Sequence, residues 1–325
     1  MAIQEAAAPR ATSKKKYFEP RRFGHANLYI GELERSMEFY KNVVGLREAY
    51  RRPPIQAGFL NNGNTHHDVG MISIHSTSAR SAKTGLNHLA WELETQVDLV
   101  EGYRRSIADG VRWDMTIDHE ISHSVYNKDP DGNLNEIYAD TGMRWYKERY
   151  GDVMKPTLHW TPGDIPPSNK IHYEPSPEIF RSEHAVFHPM KITQATLAVA
   201  DFEGTYDYYT KTVGLKPVIG GRDAPYAVLG GTCGLRDLGL FRVNPGRPAE
   251  LHHISFLVWD EPDLEASIKR AKKEGVKILT EVDHAVRRGV VIADPDGIRI
   301  LFYVDRTATL PNLAGMDEEK AIYLV

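Results

Sequence analysis

The sequence predicts an α+β protein of two tandem domains, each a curved mixed sheet around a pocket, assembled from four copies of one strand, helix and three-strand (βαβββ) unit. Three observations lead there. The chain repeats itself: Phe39-Tyr-Lys-Asn-Val-Val-Gly-Leu46 returns as Tyr208-Tyr-Thr-Lys-Thr-Val-Gly-Leu215, and Asn127-Lys-Asp-Pro-Asp-Gly132 as Ile292-Ala-Asp-Pro-Asp-Gly297. Gly45 maps to Gly214 at a shift of 169 residues and Asp129 to Asp294 at a shift of 165, so the halves align almost without gaps. Within the first half, Phe23 to Ile30 and Gly85 to Glu92 are both short β-type runs with a His near the start and a helical segment after it, so that half is itself one unit used twice.

Taken in order, Phe23 to Ile30 is the first strand. Leu33, Met37, Tyr40, Val43 and Val44 then recur at helical spacing, which predicts a helix from Leu33 to Val44 stopped by Gly45. Three strand-like runs return the chain, the last being Val69 to Ile74. Gly85 to Glu92 opens the second unit, and Val97 to Ala108 reads as its helix, ending at Asp109-Gly110. Asp129-Pro130-Asp131-Gly132 is a strong turn signal, so Ser122 to Asn127 and Asn133 to Ala139 read as an antiparallel hairpin. The repeat supplies the third and fourth units. The expected organisation is a tail at 1–21, a metal-bearing domain at 22–140, an aromatic, Pro-rich strap at 141–189, a degenerate domain at 190–307 and a tail at 308–325.

Alternation along the hairpin puts Glu136 on one face with Leu134 and Tyr138. A carboxylate on the inward face of a strand is expensive unless something positive sits opposite it, and a bound cation meets that demand. His25 and His88 are the candidate companions. The repeat separates the two halves here: His25 maps to Gln194, His88 to His253 and Glu136 to Leu301. One remaining donor of three is too few to hold a metal, so a site belongs in the first half.

Four such modules with His25, His88 and Glu136 in these positions resemble the vicinal oxygen chelate (glyoxalase/bleomycin resistance/dioxygenase) superfamily, and within it the type I extradiol ring-cleaving dioxygenases. The resemblance covers residues from about 22 to 305 and is sharpest at Ile117-x-His119, five residues, Val125-Tyr126, two residues, Asp129-Pro-x-Gly132, three residues, Glu136. It implies two vicinal-oxygen-chelate domains, with His25, His88 and Glu136 as ligands of Fe(II) and O2 as co-substrate. It implies further that His67 is the acid-base histidine, that His119 and Tyr126 bind the substrate oxygens or the oxygen-derived intermediate, and that Asn27 joins them. The best-known members carry the metal in the C-terminal domain, whereas here the N-terminal one is intact.

Two imidazoles and a carboxylate leave open positions on iron for both oxygens of a catechol and for O2, and this donor set is diagnostic of non-heme Fe(II) oxygenases; it accepts Mn(II) as well. A histidine near neutral pKa suits the proton traffic. The expected reaction is extradiol (meta) cleavage in aromatic hydrocarbon catabolism, giving a ring-opened semialdehyde or keto acid. One alternative is an oxygen-independent glyoxalase-like or epimerase-like metalloenzyme, against which Gly70 to His75 offers no acidic residue. Another is a protein that binds an aromatic ligand without turnover. Arg22, Arg47, Arg51, Arg52, Arg112 and Arg144 are candidate partners for a carboxylate on the ring.

Composition bounds the rest. A chain of 325 residues supports two ordinary domains, and a formal charge of −4 gives no basic footprint for nucleic acid. No run approaches a membrane span and Ala2 to Thr12 lacks an apolar signal core, so a cytoplasmic protein is expected. Cys233 is expected to be a buried or partly buried thiol. The strap, with Trp145, Tyr146, Tyr150, Trp160, Tyr173 and Phe180, is expected to cover the seam between the domains in preference to the pocket. The apolar end Ile322-Tyr323-Leu324-Val325 is a candidate to dock on a neighbouring subunit of a homo-oligomer.

Overall fold

Two antiparallel strands at the centre of each half decide the rest of its sheet. The computed structural model describes residues 16–142, 145, 149–234, 236–243, 248–307, 316 and 318–324. Tyr146, Arg144 and the terminal residue Val325 lie outside the described residues, as do Ala2 to Thr12. In the first half β1 (Arg22–Ile30) pairs antiparallel with β5 (Gly85–Glu92). Each is flanked in parallel by the last strand of its own unit, β4 (Val69–Ser73) beside β1 and β8 (Leu134–Asp140) beside β5. Outside these lie β3 (Ala57–Asn61) and β2 (Arg47–Arg52) on one wing, and β7 (Ser122–Lys128) and β6 (Met115–Asp118) on the other.

The second half repeats the plan around β11 (Pro189–Val199) and β15 (Glu250–Val258). Its wings are β14 (Leu238–Arg242), β13 (Tyr226–Gly230) and β12 (Lys216–Gly220), and β18 (Arg299–Asp305), β17 (Arg287–Ala293) and β16 (Ile278–His284). Four βαβββ units in two tandem domains are therefore present.

The helices follow their sequence signals, with one addition. Helix α1 (Leu33–Phe39) passes into a π-helical turn at Tyr40–Val44, where the N–H groups of Gly45 and Leu46 both bond the Tyr40 carbonyl. Gly45 stops it at φ +93, a conformation glycine adopts without strain. The same device recurs after α3 (Phe202–Asp207), at Tyr208–Val213. Helix α2 (Gln96–Ala108) starts on a Thr95/Asp98 capping box, and α4 (Glu261–Glu274) starts on Asp260. Among the described residues no helix is long and apolar enough to cross a membrane.

The repeated Asp-Pro-Asp-Gly turns do more than reverse the chain. Asp131 accepts hydrogen bonds from the N–H groups of Ala200 and Asp201, at the start of α3 in the other half, at 2.8 and 3.0 Å. Asp296 reciprocates, accepting from Gly31 N–H and Ser36 Oγ, each at 3.2 Å, at the start of α1. The π-turn tyrosines complete the exchange: Tyr209 donates to Asp129 at 3.1 Å and Tyr40 to Asp294 at 3.3 Å. Each turn thus latches the opposite domain around a shared apolar core that includes Phe23, Trp91, Phe187, Tyr209 and Phe302.

Three expectations are corrected. The strap does both jobs. Its early part lines the pocket through Arg149 and Thr157 and adds the short strands β9 (Gly151–Asp152) beside β2 and β10 (Leu158–His159) beside β6. Its later part covers the seam, where Phe187 N–H bonds Val43 O at 3.0 Å and the Phe187 ring stacks on Phe302 at 4.0 Å. The C-terminal residues pack on their own second domain, with Ala321, Ile322 and Leu324 buried in a cluster with Val228 and Phe241. Cys233 is exposed, because its loop is tied to Arg21 O through the backbone N–H at 2.9 Å and nothing draws the side chain inward.

Candidate metal centre and its cavity

Strand register builds the centre. His25 on β1 pairs with Ala90 on β5, and Ala90 pairs with Glu136 on β8. Paired residues point to the same face, so the small Ala90 side chain separates His25 from Glu136, while His88, two residues back, joins that face. One donor nitrogen or oxygen from each of His25, His88 and Glu136 falls within 4.8 Å of the others, and all three residues are buried. The Glu136 Oε2 atom lies 3.2 Å from His25 Nε2 and 3.0 Å from His88 Nε2.

The surroundings hold each donor in place. Ser124 Oγ donates to Glu136 Oε1 at 2.5 Å, and His88 Nδ1 donates to Asn87 Oδ1 at 2.7 Å, which turns His88 Nε2 toward Glu136. Burial opposes ionisation of Glu136, yet hydrogen bonds from His25 and His88 hold its carboxyl well below the usual range. Burial pulls the His25 imidazolium down and outweighs the attraction of Glu136. A charged carboxylate facing a neutral imidazole, with His88 Nε2 turned onto the same carboxylate oxygen, is a donor set that fits a divalent cation.

Around these donors opens a cavity of about 270 Å³. His67 lines it with its ring 4.0 Å from that of His25 and 4.9 Å from Phe59. Burial drives His67 well below the ordinary imidazole value, so it is neutral, and its Nε2 has no partner. His119 Nε2 and the Tyr126 hydroxyl are 2.8 Å apart, and His119 Nε2 is 3.8 Å from Glu136 Oε1. Burial pushes His119 down to about 4 and raises the Tyr126 phenol well above 10. Asn27 lines the cavity with Oδ1 unpartnered. Its amide fits only because Gly70 lies opposite on β4, where a Cβ would stand 1.6 Å from that oxygen. All seven residues singled out in the sequence therefore meet in one place.

Sequence reading missed others. His66 also lines the cavity, its Nδ1 bonded to His67 Nδ1 at 2.7 Å, and with His25 and His67 it forms a second trio of donors within 4.8 Å. That mutual bond engages both Nδ1 atoms, and the trio has no carboxylate to balance a cation's charge, so His25, His88 and Glu136 are the better candidate centre. Of the five candidate arginines among the described residues, Arg52 alone lines the cavity; Arg80 and Arg149 line it too. Arg22 pairs with Glu92, Arg47 bonds Asn61, Arg51 pairs with Glu34 and Glu48, and Arg112 is exposed. His123 stacks on Trp160 at 4.4 Å, away from the centre.

Residues 22–137 and 191–302 match the family described as the Glyoxalase/Bleomycin resistance protein/Dioxygenase superfamily. The catechol-2,3-dioxygenase of Bacillus subtilis (strain 168) is 33% identical over 144 residues, which are 43% of this chain and 49% of that protein. Biphenyl-2,3-diol 1,2-dioxygenase 3 of Rhodococcus globerulus is 28% identical over 122 residues, 37% of this chain and 63% of that protein. The chain thus spans about half to two thirds of the length of these curated relatives. Among solved structures, the 2,3-dioxygenase LapB from Pseudomonas sp. KL28 aligns over 90% of this chain and 96% of its own, with a TM-score of 0.65 and 18% identity, a likeness of fold.

Proposed function

Because this chain belongs to the Glyoxalase/Bleomycin resistance protein/Dioxygenase superfamily, we propose that it is an Fe(II)-dependent extradiol dioxygenase, cleaving a catechol-type aromatic with O2 to a ring-opened semialdehyde or keto acid. The observation that supports this most is the cavity, where His25, His88 and Glu136 meet on one wall and three neutral polar side chains, His67, His119 and Tyr126, share the space with them. The chemistry Fe(II) would supply there is chelation of both catechol oxygens and transfer of ring electron density to O2, with Mn(II) able to take the same ligands. A reducing cytoplasm suits a ferrous enzyme.

The chain's own groups handle protons and position. His67 lines the cavity and its buried Nε2 has no partner, so it is the group that takes a proton from a catechol hydroxyl and returns it as the ring opens. In the Nδ1 to Nδ1 contact with His66 one nitrogen must donate and the other accept, so His66 sets which tautomer His67 presents. The Tyr126 and His119 pair offers hydrogen bonds to negative charge developing on substrate oxygen, and Asn27 adds a further polar contact. Ile55, Phe59, Ile117, Ile121 and Leu134 supply apolar wall for the ring. An oxygen-independent enediolate enzyme needs a carboxylate free to act as base; Glu136 is the only carboxylate among the described residues lining the cavity, and it is a ligand.

Oxygen uptake by anaerobically Fe(II)-reconstituted protein given a panel of catechols tests the reading. Stoichiometric uptake with a coloured ring-fission product is expected. Iron bound without uptake across the panel would sink it in favour of the oxygen-independent enzymes or an aromatic-binding role.

A further inference from the structure

The cavity carries more positive charge than ring cleavage uses. Arg52 ends β2 and Arg149 comes from the segment between the domains, and both line the cavity. The Arg149 side chain is only 4% exposed, and its Nε is buried without a partner. Arg52 Nε is likewise buried and unpartnered, while its Nη2 donates to Lys155 O at 3.0 Å. Burial lowers the Arg52 pKa and the neighbouring Arg149 charge lowers it further, so the two guanidinium groups repel one another. The one carboxylate near them among the described residues is Glu120, whose Oε2 is 3.6 Å from Arg149 and whose Oε1 is 3.3 Å from Lys155. Glu136 is engaged by His25 and His88.

A buried Arg149, which also bonds the Tyr50 hydroxyl, and a half-buried Arg52 beside it face one carboxylate between them among the described residues, an incomplete set. Burying a guanidinium without its anion is costly, and a planar fork with free N–H groups is the shape that recognises a carboxylate at two points. Their position fixes where the anion sits. The Arg149 guanidinium lies 5.4 Å from the centre of the Tyr50 ring, and Tyr50, Arg52, Arg149 and His119 line the one cavity with the three donors. Arg80 is exposed and directed at Met115, so it is not part of the set.

We propose that Arg52 and Arg149 form an anion subsite, and that the substrate is a catechol whose ring bears a carboxylate or carboxylated side chain, held by the two guanidinium groups while its hydroxyls face His25, His88 and Glu136. The subsite deepens the extradiol reading and rests on it for the identity of the ring. It also assigns the strap a role in specificity, since one of its two arginines comes from there.

The test uses 3,4-dihydroxyphenylacetate and its neutral amide, which differ in charge and little in shape. Binding of each to the metal-free protein is measured by calorimetry, and kcat/KM for O2 uptake is measured with the Fe(II)-loaded protein. The acid is expected to exceed the amide by about tenfold or more in both, the scale of one charge-assisted hydrogen bond. Arg149→Gln and Arg52→Gln should each move that ratio toward one, and Arg149→Lys should retain part of it. Equal binding and equal turnover of acid and amide by the wild type overturns the subsite and leaves ring cleavage standing. Preferential binding of the acid with no oxygen uptake supports the subsite and sinks the dioxygenase reading. Should a variant fail to fold, the wild-type ratio still decides.

Discussion

The two domains share one architecture and part company inside the cup. In the first, His25, Ala90 and Glu136 lie in register across three strands, with His88 on the same face. In the second, Gln194, Ser255 and Leu301 occupy that row, and His253 is the one donor that persists. Val291 stands for Tyr126 opposite Leu301, and Arg236, in place of His67, pairs with Asp305. The chain's own end enters this cup: the Tyr323 ring lies 5.2 Å from His253 and 5.3 Å from His252, Val291, Leu301 and Tyr303 form an apolar cluster beside it, and the cavity that remains, about 580 Å³, is lined by His252, Arg299 and Tyr323 in place of a set of metal donors. The cross-domain latches, by contrast, are kept on both sides. The difference separates two demands on one fold: the junction uses both halves, and the proposed chemistry needs one.

Removing a ligand should break this asymmetry most severely. His25→Ala and Glu136→Ala are expected to abolish metal retention, read as metal per folded protein after desalting, and with it all turnover. Gln194→Ala and His253→Ala should leave both intact; loss of metal in either would mean that the wrong cup was chosen. His67→Phe is the sharper variant within the first cup. It should retain the metal and lose about 10²- to 10⁴-fold in kcat, the range of general acid-base catalysis. A kcat within a few-fold of wild type would remove His67 from the proton path.

What the sequence made legible follows from what has a period. His25, His88 and Glu136 were found because strand alternation and the internal repeat constrain them from two directions, and the structure brings them within 4.8 Å. His66 was passed over because consecutive residues of a strand face opposite ways, but the run ahead of β4 is not a strand, and both imidazoles turn inward. Arg80 and Arg149 sit on irregular segments where no pattern predicts direction. The Asp-Pro-Asp-Gly turns were legible as turns, while their second role depends on partners such as Ala200 and Asp201, which lie 69 and 70 residues away in the chain. The π-helical ends of α1 and α3 carry no signal beyond the tyrosines whose hydroxyls they aim.

The tail packed into the second cup predicts a loss confined to stability. Leu324 is 2% exposed and packs in the cluster with Val228, Phe241 and Ile322. Leu324→Ala should destabilise the protein by about 2 to 4 kcal/mol, the usual range for a buried leucine truncated to alanine. Oxygen uptake per folded molecule should stay unchanged, because nothing from the tail lines the first cavity among the described residues. A thermal melt paired with an activity assay on the same sample reads both. A fall in specific activity would show that the second cup communicates with the first.

The smallest expected effect tests the feature the halves share. Burial raises the carboxyls of Asp129 and Asp294, each to about 6, against an ordinary value of 3.8. A carboxyl whose pKa is higher in the folded chain binds its proton more tightly there, so its contribution to stability is complete below about pH 4 and is lost as pH rises through about 6. Asparagine carries no such proton. Asp129→Asn and Asp294→Asn should therefore gain stability relative to wild type as pH is raised from 4 to 7, by about 2 kcal/mol each. Any loss of the tyrosine hydrogen bond appears as an offset independent of pH, so the difference between variant and wild-type denaturation curves isolates the titration. Two matching slopes would establish the latch as a symmetric element. A slope in one variant alone would place an asymmetry at the junction as well as in the cups.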